Sequence, residues 1–218
     1  MNAMTQDGGP KWKKSAVKML IGAAVGLGAS VAVTTLAGAP LLDAMGPSRL
    51  ALAAVGFVYL LMAAMVGFGL AAPRAGAKLL NVGDAEELRE ERGGMMLSVV
   101  TMGAIGLVLI LLALASAPGF AGPVPAGLAF GGLVLAIVGG VIASRAWRDR
   151  YDELNRQLGL EGSFWAFCLS WVLLTLWAAA DFLGFGFALT PIDVVTTLAA
   201  MMIIGSFVAI GRRGMMSR

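Results

Sequence analysis

Six apolar segments of about 20 residues each constrain this chain more than any other feature of its sequence. They cover residues 19–38, 51–72, 95–114, 124–144, 164–183 and 192–211. An α-helix rises 1.5 Å per residue, so about 20 apolar residues cross the roughly 30 Å hydrocarbon core of a bilayer. Charged residues make up only 13% of the chain, about half their share in soluble domains. The sequence therefore predicts an all-α integral membrane protein, a bundle of six transmembrane helices.

The basic residues predict how these helices are oriented. With six spans, all of the 16 lysines and arginines except Arg49 fall on one side of the membrane. They form four clusters: Lys11, Lys13, Lys14 and Lys18; Arg74, Lys78, Arg89 and Arg92; Arg145, Arg148, Arg150 and Arg156; and Arg212, Arg213 and Arg218. By the positive-inside rule this side is cytoplasmic. We expect a multi-pass protein of a bacterial-type inner (plasma) membrane with cytoplasmic tails at 1–18 and 212–218, and a transmembrane domain over 19–211.

The N-terminal segment also allows a second interpretation. Its lysines, its apolar run and the small residues Ala37-Gly38-Ala39 resemble a secretory signal with a cleavage site. The run is long for a signal peptide, and Pro40 directly after the site disfavours cleavage. We expect an uncleaved first span.

Two charged cytoplasmic connections have helical patterns. Asp84 and Glu87 predict a capped helix start in the first of them. In the second, charged residues at four-residue spacing predict that the fourth span continues as a helix to Gly159, and that Ser163 caps the fifth span. The two connections share a short motif, Glu-Glu-Leu or Asp-Glu-Leu followed by glycine, which indicates either a duplicated hairpin or a coincidence.

The residue inventory excludes several kinds of chemistry. The chain has no histidine and one cysteine, Cys168, so histidine-ligated haem or zinc, a serine–histidine pair and an intrachain disulfide are all excluded. No lysine lies in the middle of a span, and no phosphate-binding glycine loop is present. We expect no catalytic residue, no cofactor, no metal site and no binding of nucleic acid.

Asp181 is the acidic residue that best matches a transport site. It is expected about one turn inside the end of the fifth span, where a carboxylate is costly and often functional. Ser170 and Thr175 on the same span would complete an ion or substrate site. The alternative is a structural role at the interface, for example an ion pair with Arg49. Asp193, three residues after Thr190 and following Pro191, instead predicts a helix cap.

Small residues repeat every four positions in two spans. The positions are Gly22, Gly26 and Ser30 in the first, and Gly132, Ala136, Gly140 and Ser144 in the fourth. Such repeats allow close helix packing, either within the bundle or between two copies of the chain.

Taken together, these features favour a non-enzymatic scaffold or assembly subunit of a membrane complex. It would reside in the lipid bilayer with a membrane-protein partner or a second copy of itself. The alternative is a small-solute or ion-coupled permease that uses Asp181. The nearly apolar centre of the spans disfavours that alternative, because carriers bind substrates near the midplane.

Overall fold

The computed structural model describes residues 38–72, 92–147, 153–186 and 188–213. The first expected span, apart from Gly38, lies outside these residues. So do its stripe of Gly22, Gly26 and Ser30, the expected helix start at Asp84, and residues 86–88 and 152 of the shared connection motif. The chain forms two compact units, which meet between Ala44 and Met45. Residues 38–44 belong to the first unit and are described only as the beginning of the first helix.

Five helices make up the described chain. They are α1 (Ala39–Ala71), α2 (Arg92–Ala113), α3 (Ala126–Trp147), α4 (Glu153–Phe182) and α5 (Pro191–Arg212). Each of the five is long and apolar enough to cross a membrane. The prediction of an all-helical, multi-pass membrane protein is confirmed to this extent, with five spans described where six were expected.

Contacts between the helices show that successive helices run in opposite directions. Gly56 of α1 packs on Gly106 of α2, and Gly67 of α1 lies near Val99, an earlier residue of α2. Glu161 near the start of α4 pairs with Arg212 at the end of α5. The arginines at the α2 start, the α3 end, the α4 start and the α5 end therefore share one end of the bundle, here called the basic end. Arg49 lies at the opposite end.

Two helix boundaries differ from those expected. The helix α1 begins well before residue 51, but Gly46 interrupts it with φ 69° and ψ 171°, a backbone conformation that essentially only glycine adopts. The helix α4 runs without a break through Gly159 and Ser163, so the expected stop and cap at these residues are wrong. A helical glycine costs only about 1 kcal/mol. The helix α4 contacts α5 on both sides of Ser163, at Gly162 and at Ala166, and this packing favours a continuous helix.

Glycines bring the helix backbones together at two crossings. A Cβ atom built on Gly106 of α2 would lie 2.7 Å from the carbonyl oxygen of Gly56 in α1. One built on Gly205 of α5 would lie 2.5 Å from the carbonyl oxygen of Gly162 in α4. Lipid tails are as apolar as the side chains, so helices in a bilayer are held by such close packing and not by hydrophobic burial.

Candidate functional site

The three residues of the expected transport site do not come together. Ser170 is buried, with 5% of its surface exposed, whereas Thr175 and Asp181 are exposed. All three belong to α4, and the eleven residues from Ser170 to Asp181 correspond to about 16 Å along a helix axis. Thr175 lies about 140° around the helix from Ser170. The described chain therefore shows no shared polar cavity for these side chains.

Asp181 instead orders the connection between α4 and α5. Its Oδ2 atom accepts a hydrogen bond of 3.1 Å from the backbone N–H of Leu189. This contact spans the turn that contains Gly184 and Gly186, both of which have positive φ. A carboxylate that accepts a backbone N–H in this way stabilises the loop geometry. This contact joins the end of α4 to the segment before α5.

Arg49 does not pair with Asp181, so the expected ion pair is wrong. Its Nη1 atom donates to the carbonyl oxygens of Ala113, at 3.0 Å, and Ala115, at 2.9 Å. Its guanidinium group also lies 4.3 Å from the centre of the Phe120 ring. The last carbonyls of a helix have no partner within the helix and carry its negative partial charge. Arg49 thus caps α2 and binds the α2–α3 connection, a tertiary role that spacing alone did not indicate.

Asp193 forms the helix cap that the sequence predicted. Its Oδ2 atom accepts hydrogen bonds from the backbone N–H of Thr190, at 2.9 Å, and from its hydroxyl group, at 2.7 Å. Pro191 occupies the first turn of α5. The carboxylate is buried, and the Ser48 hydroxyl of α1 is placed to donate to it as well. Asp193 therefore joins the start of α5 to α1.

Tyr59 is a buried polar residue that the sequence reasoning missed. Its hydroxyl group donates to the carbonyl oxygen of Ala199 at 3.0 Å, linking α1 to α5. A tyrosine in the middle of an apolar span needs a hydrogen-bond partner, and the chain has only two tyrosines. A tyrosine inside an apolar span was therefore the sequence feature from which this contact could have been predicted. Within the described residues, no buried side-chain nitrogen or oxygen lacks a partner.

At the basic end, a charged cluster holds α4 and α5 together. Glu161 accepts from Arg213 at 3.1 Å and lies 3.5 Å from Arg212. The Arg212 guanidinium group is 5.1 Å from the centre of the Trp165 ring, and Arg213 also lies 3.5 Å from the Gln157 amide oxygen. Each of these groups has a partner from the other helix. The cluster therefore joins α4 to α5 at the basic end.

The helix α3 is the least buried of the five described helices. Only 6% of its most apolar 18-residue window is buried, the smallest share among the five helices. A Cβ atom on Gly132 of the predicted stripe would make ordinary contact with Val108 and Leu111 of α2, both at 3.9 Å. A Cβ atom on Gly140 would have no atom of the described chain within 4 Å. The stripe therefore contacts α2 near Gly132 and then leaves it toward the basic end.

A second face of α3 points away from α2. Gly127, Gly131, Val134 and Val138 follow one another at spacings of four, three and four residues, so they line one side of a helix. A Cβ on either glycine would meet nothing within 4 Å in the described chain, and both valines are exposed. We call these four residues the outer face of α3.

Comparisons with known proteins identify no relative. No family model matches the chain, and neither the curated proteins nor the solved structures contain a match. Function is therefore inferred from the geometry of the chain. In the described residues no group of histidine, cysteine, aspartate or glutamate side chains could hold a metal ion, and the acidic residues Asp181, Asp193 and Glu161 all make structural contacts. Among the described helices, α3 has the smallest buried share.

Proposed function

We propose that this protein is a non-enzymatic scaffold or assembly subunit of a membrane complex, and that it binds its partner through the outer face of α3. The observation that carries this proposal is the pair of open glycines, Gly127 and Gly131, on the least buried span. The partner is another membrane protein or a second copy of this chain.

Glycine serves a helix contact better than it serves a lipid contact. It lowers helix stability by about 1 kcal/mol relative to alanine and offers lipid no side chain. Two glycines four residues apart, however, let a second backbone approach closely, and the exposed Val134 and Val138 extend that surface by two further turns. Close packing of this kind already occurs within the chain, where Gly56 of α1 contacts Gly106 of α2.

The permease alternative has no comparable support. A coupling site needs side chains that face one another around an ion or substrate, close to the midplane. Ser170, Thr175 and Asp181 lie at different depths and on different sides of α4, and Asp181 is engaged by Leu189.

The test compares leucine substitutions on two faces of α3. Gly127→Leu and Gly131→Leu place a bulky side chain on the outer face, whereas Gly139→Leu adds the same side chain at an equally open position elsewhere on the helix. Each variant is expressed at wild-type abundance, extracted in mild detergent and analysed by quantitative mass spectrometry of co-purifying proteins and by its own oligomeric mass.

We expect the wild type and Gly139→Leu to retain the same stoichiometric partner, and the two outer-face variants to lose it. The oligomeric mass shows whether that partner is a second copy of the chain. Retention of the partner by both outer-face variants contradicts the proposal, as does isolation of the wild type alone with a bound small solute, which the permease alternative requires.

A further inference from the structure

A cleft lies between α2 and the part of α3 that runs from its middle to the basic end. The two helices touch near Gly132 and diverge from there, leaving a space of about 530 Å³. Its walls are apolar, with Ile105, Val108 and Leu109 on the α2 side and the small residues Ala136 and Gly140 on the α3 side. We call this space the α2–α3 cleft.

The α2–α3 cleft contains almost no free polar group. Ser144 lines it, but its hydroxyl group already donates to the carbonyl oxygen of Gly140 at 2.7 Å. An apolar space without hydrogen-bond partners does not hold ordered water. A void of this size in a bilayer is filled by apolar chains, since interiors that lack contact atoms lose dispersion attraction.

Arg145 lies at the mouth of the α2–α3 cleft. It is exposed and forms no ion pair with any described residue. It contrasts with Arg212 and Arg213, which are engaged by Glu161 at the same end of the bundle. The cleft therefore combines an apolar interior with an arginine at its opening that no described acidic residue neutralises.

We propose that the α2–α3 cleft binds one anionic phospholipid, with an acyl chain between the helices and the phosphate group on Arg145. Leu133 and Arg145 mark the two ends of the α3 wall, and twelve residues of helix measure about 18 Å. One leaflet of the hydrocarbon core is about 15 Å thick. The α3 wall is thus about as long as a single acyl chain whose headgroup lies at the basic end, and the α2 wall from Ile105 to Leu109 borders only the deeper part of that chain.

A helix 18 Å long and about 10 Å wide has a volume of roughly 1,400 Å³, so a helix would lie along the opening of the cleft and leave its interior to smaller apolar groups. The charge favours an anionic headgroup, because a guanidinium group binds phosphate oxygens through paired charge-assisted hydrogen bonds. The basic end faces the cytoplasm by the positive-inside rule, and the cytoplasmic leaflet is rich in anionic lipids. None of the four residues of the outer face lines the cleft, and the proposal does not depend on the proposed function.

The experiment measures lipid retention by native mass spectrometry of the full chain. The protein is equilibrated in detergent with equal amounts of dioleoylphosphatidylglycerol and dioleoylphosphatidylcholine. Arg145→Gln removes the charge at the cleft, and Arg156→Gln removes an exposed arginine of α4 at the same end as its control. Gly140→Leu fills the cleft, and Gly139→Leu places the same side chain on the adjacent, open position outside it.

We expect the wild type to retain one phosphatidylglycerol in preference to phosphatidylcholine. Arg145→Gln should reduce this preference roughly fivefold, the ratio that corresponds to about 1 kcal/mol for one basic residue at an anionic surface. Gly140→Leu should lose the bound lipid, while Arg156→Gln and Gly139→Leu should behave as the wild type.

Three results would overturn the proposal. They are an unchanged lipid preference in Arg145→Gln, an unchanged lipid occupancy in a folded Gly140→Leu, and a wild-type dimer without lipid that Gly140→Leu converts to a monomer. Arg145→Gln changes an exposed side chain outside the packed region, so it tests the proposal even if Gly140→Leu does not fold.

Discussion

The α4–α5 crossing allows a quantitative test of how this bundle is held together. A Cβ atom on Gly205 would lie 2.5 Å from the Gly162 carbonyl oxygen and 2.6 Å from the Ala166 nitrogen, and Cβ atoms essentially never approach other atoms within 3.0 Å. Any larger residue at position 205 must therefore push the two backbones apart by at least about 0.5 Å, a gap that already forfeits about a quarter of the dispersion attraction between facing atoms.

The expected cost depends on the size of the new side chain. Overpacking costs about 1–3 kcal/mol, and alanine recovers about 1 kcal/mol through its better helix propensity. Gly205→Ala should therefore lower the free energy of unfolding by roughly 0–2 kcal/mol. Gly205→Leu, which adds three further carbon atoms against the α4 backbone, should reach the upper end of the overpacking range, about 3 kcal/mol.

The assay is unfolding by sodium dodecyl sulfate in mixed micelles, followed by circular dichroism. Gly139→Ala and Gly139→Leu serve as matched controls, because nothing lies within 4 Å of that Cβ position in the described chain. We expect the controls to unfold at or slightly above the wild-type detergent fraction, because they gain helix propensity without a clash, and Gly205→Leu to unfold at a clearly lower fraction. Equal midpoints for Gly205→Leu and Gly139→Leu would refute the reasoning, since they would show that the close crossing does not contribute to stability.

Three further predictions concern the end of the bundle opposite the basic end and the orientation of the chain. Gly46→Ala should destabilise the protein by about 1–3 kcal/mol in the same assay, because φ 69° with ψ 171° is strained for any residue with a Cβ; unchanged stability would show that the break in α1 is not needed. Asp181→Asn should retain full function at wild-type abundance, since an amide oxygen also accepts the backbone N–H that the carboxylate now binds. Loss of coupled solute uptake in the folded variant would instead support the permease alternative. Reporter fusions after Gly119 should be periplasmic and those after Leu158 cytoplasmic, and an inversion of either would reject the orientation inferred from the basic residues.

Parts of the site were predictable because they depend on neighbours in sequence. The Thr190–Asp193 cap was predicted because a cap connects residues three positions apart, and local backbone geometry places them together. The close crossings were missed, although the signal was present. Gly162, Ala166 and Ser170 repeat every four residues as regularly as the stripe in α3, and all three are buried. A stripe identifies a face that can pack, but only the arrangement of the helices decides which face does.

The class of the protein follows from the sequence alone, and the basic residues predict the direction of its helices. Long apolar segments have no other stable environment than a bilayer, and basic residues are costly to move across it, so both properties are local and additive along the chain. The partners of individual side chains, in contrast, were decided by the packing of the helices. Arg49 binds the end of α2 and not Asp181, and Tyr59 reaches the Ala199 carbonyl of α5. These contacts join residues 64 and 140 positions apart, and their geometry depends on how whole helices pack, which no local pattern encodes.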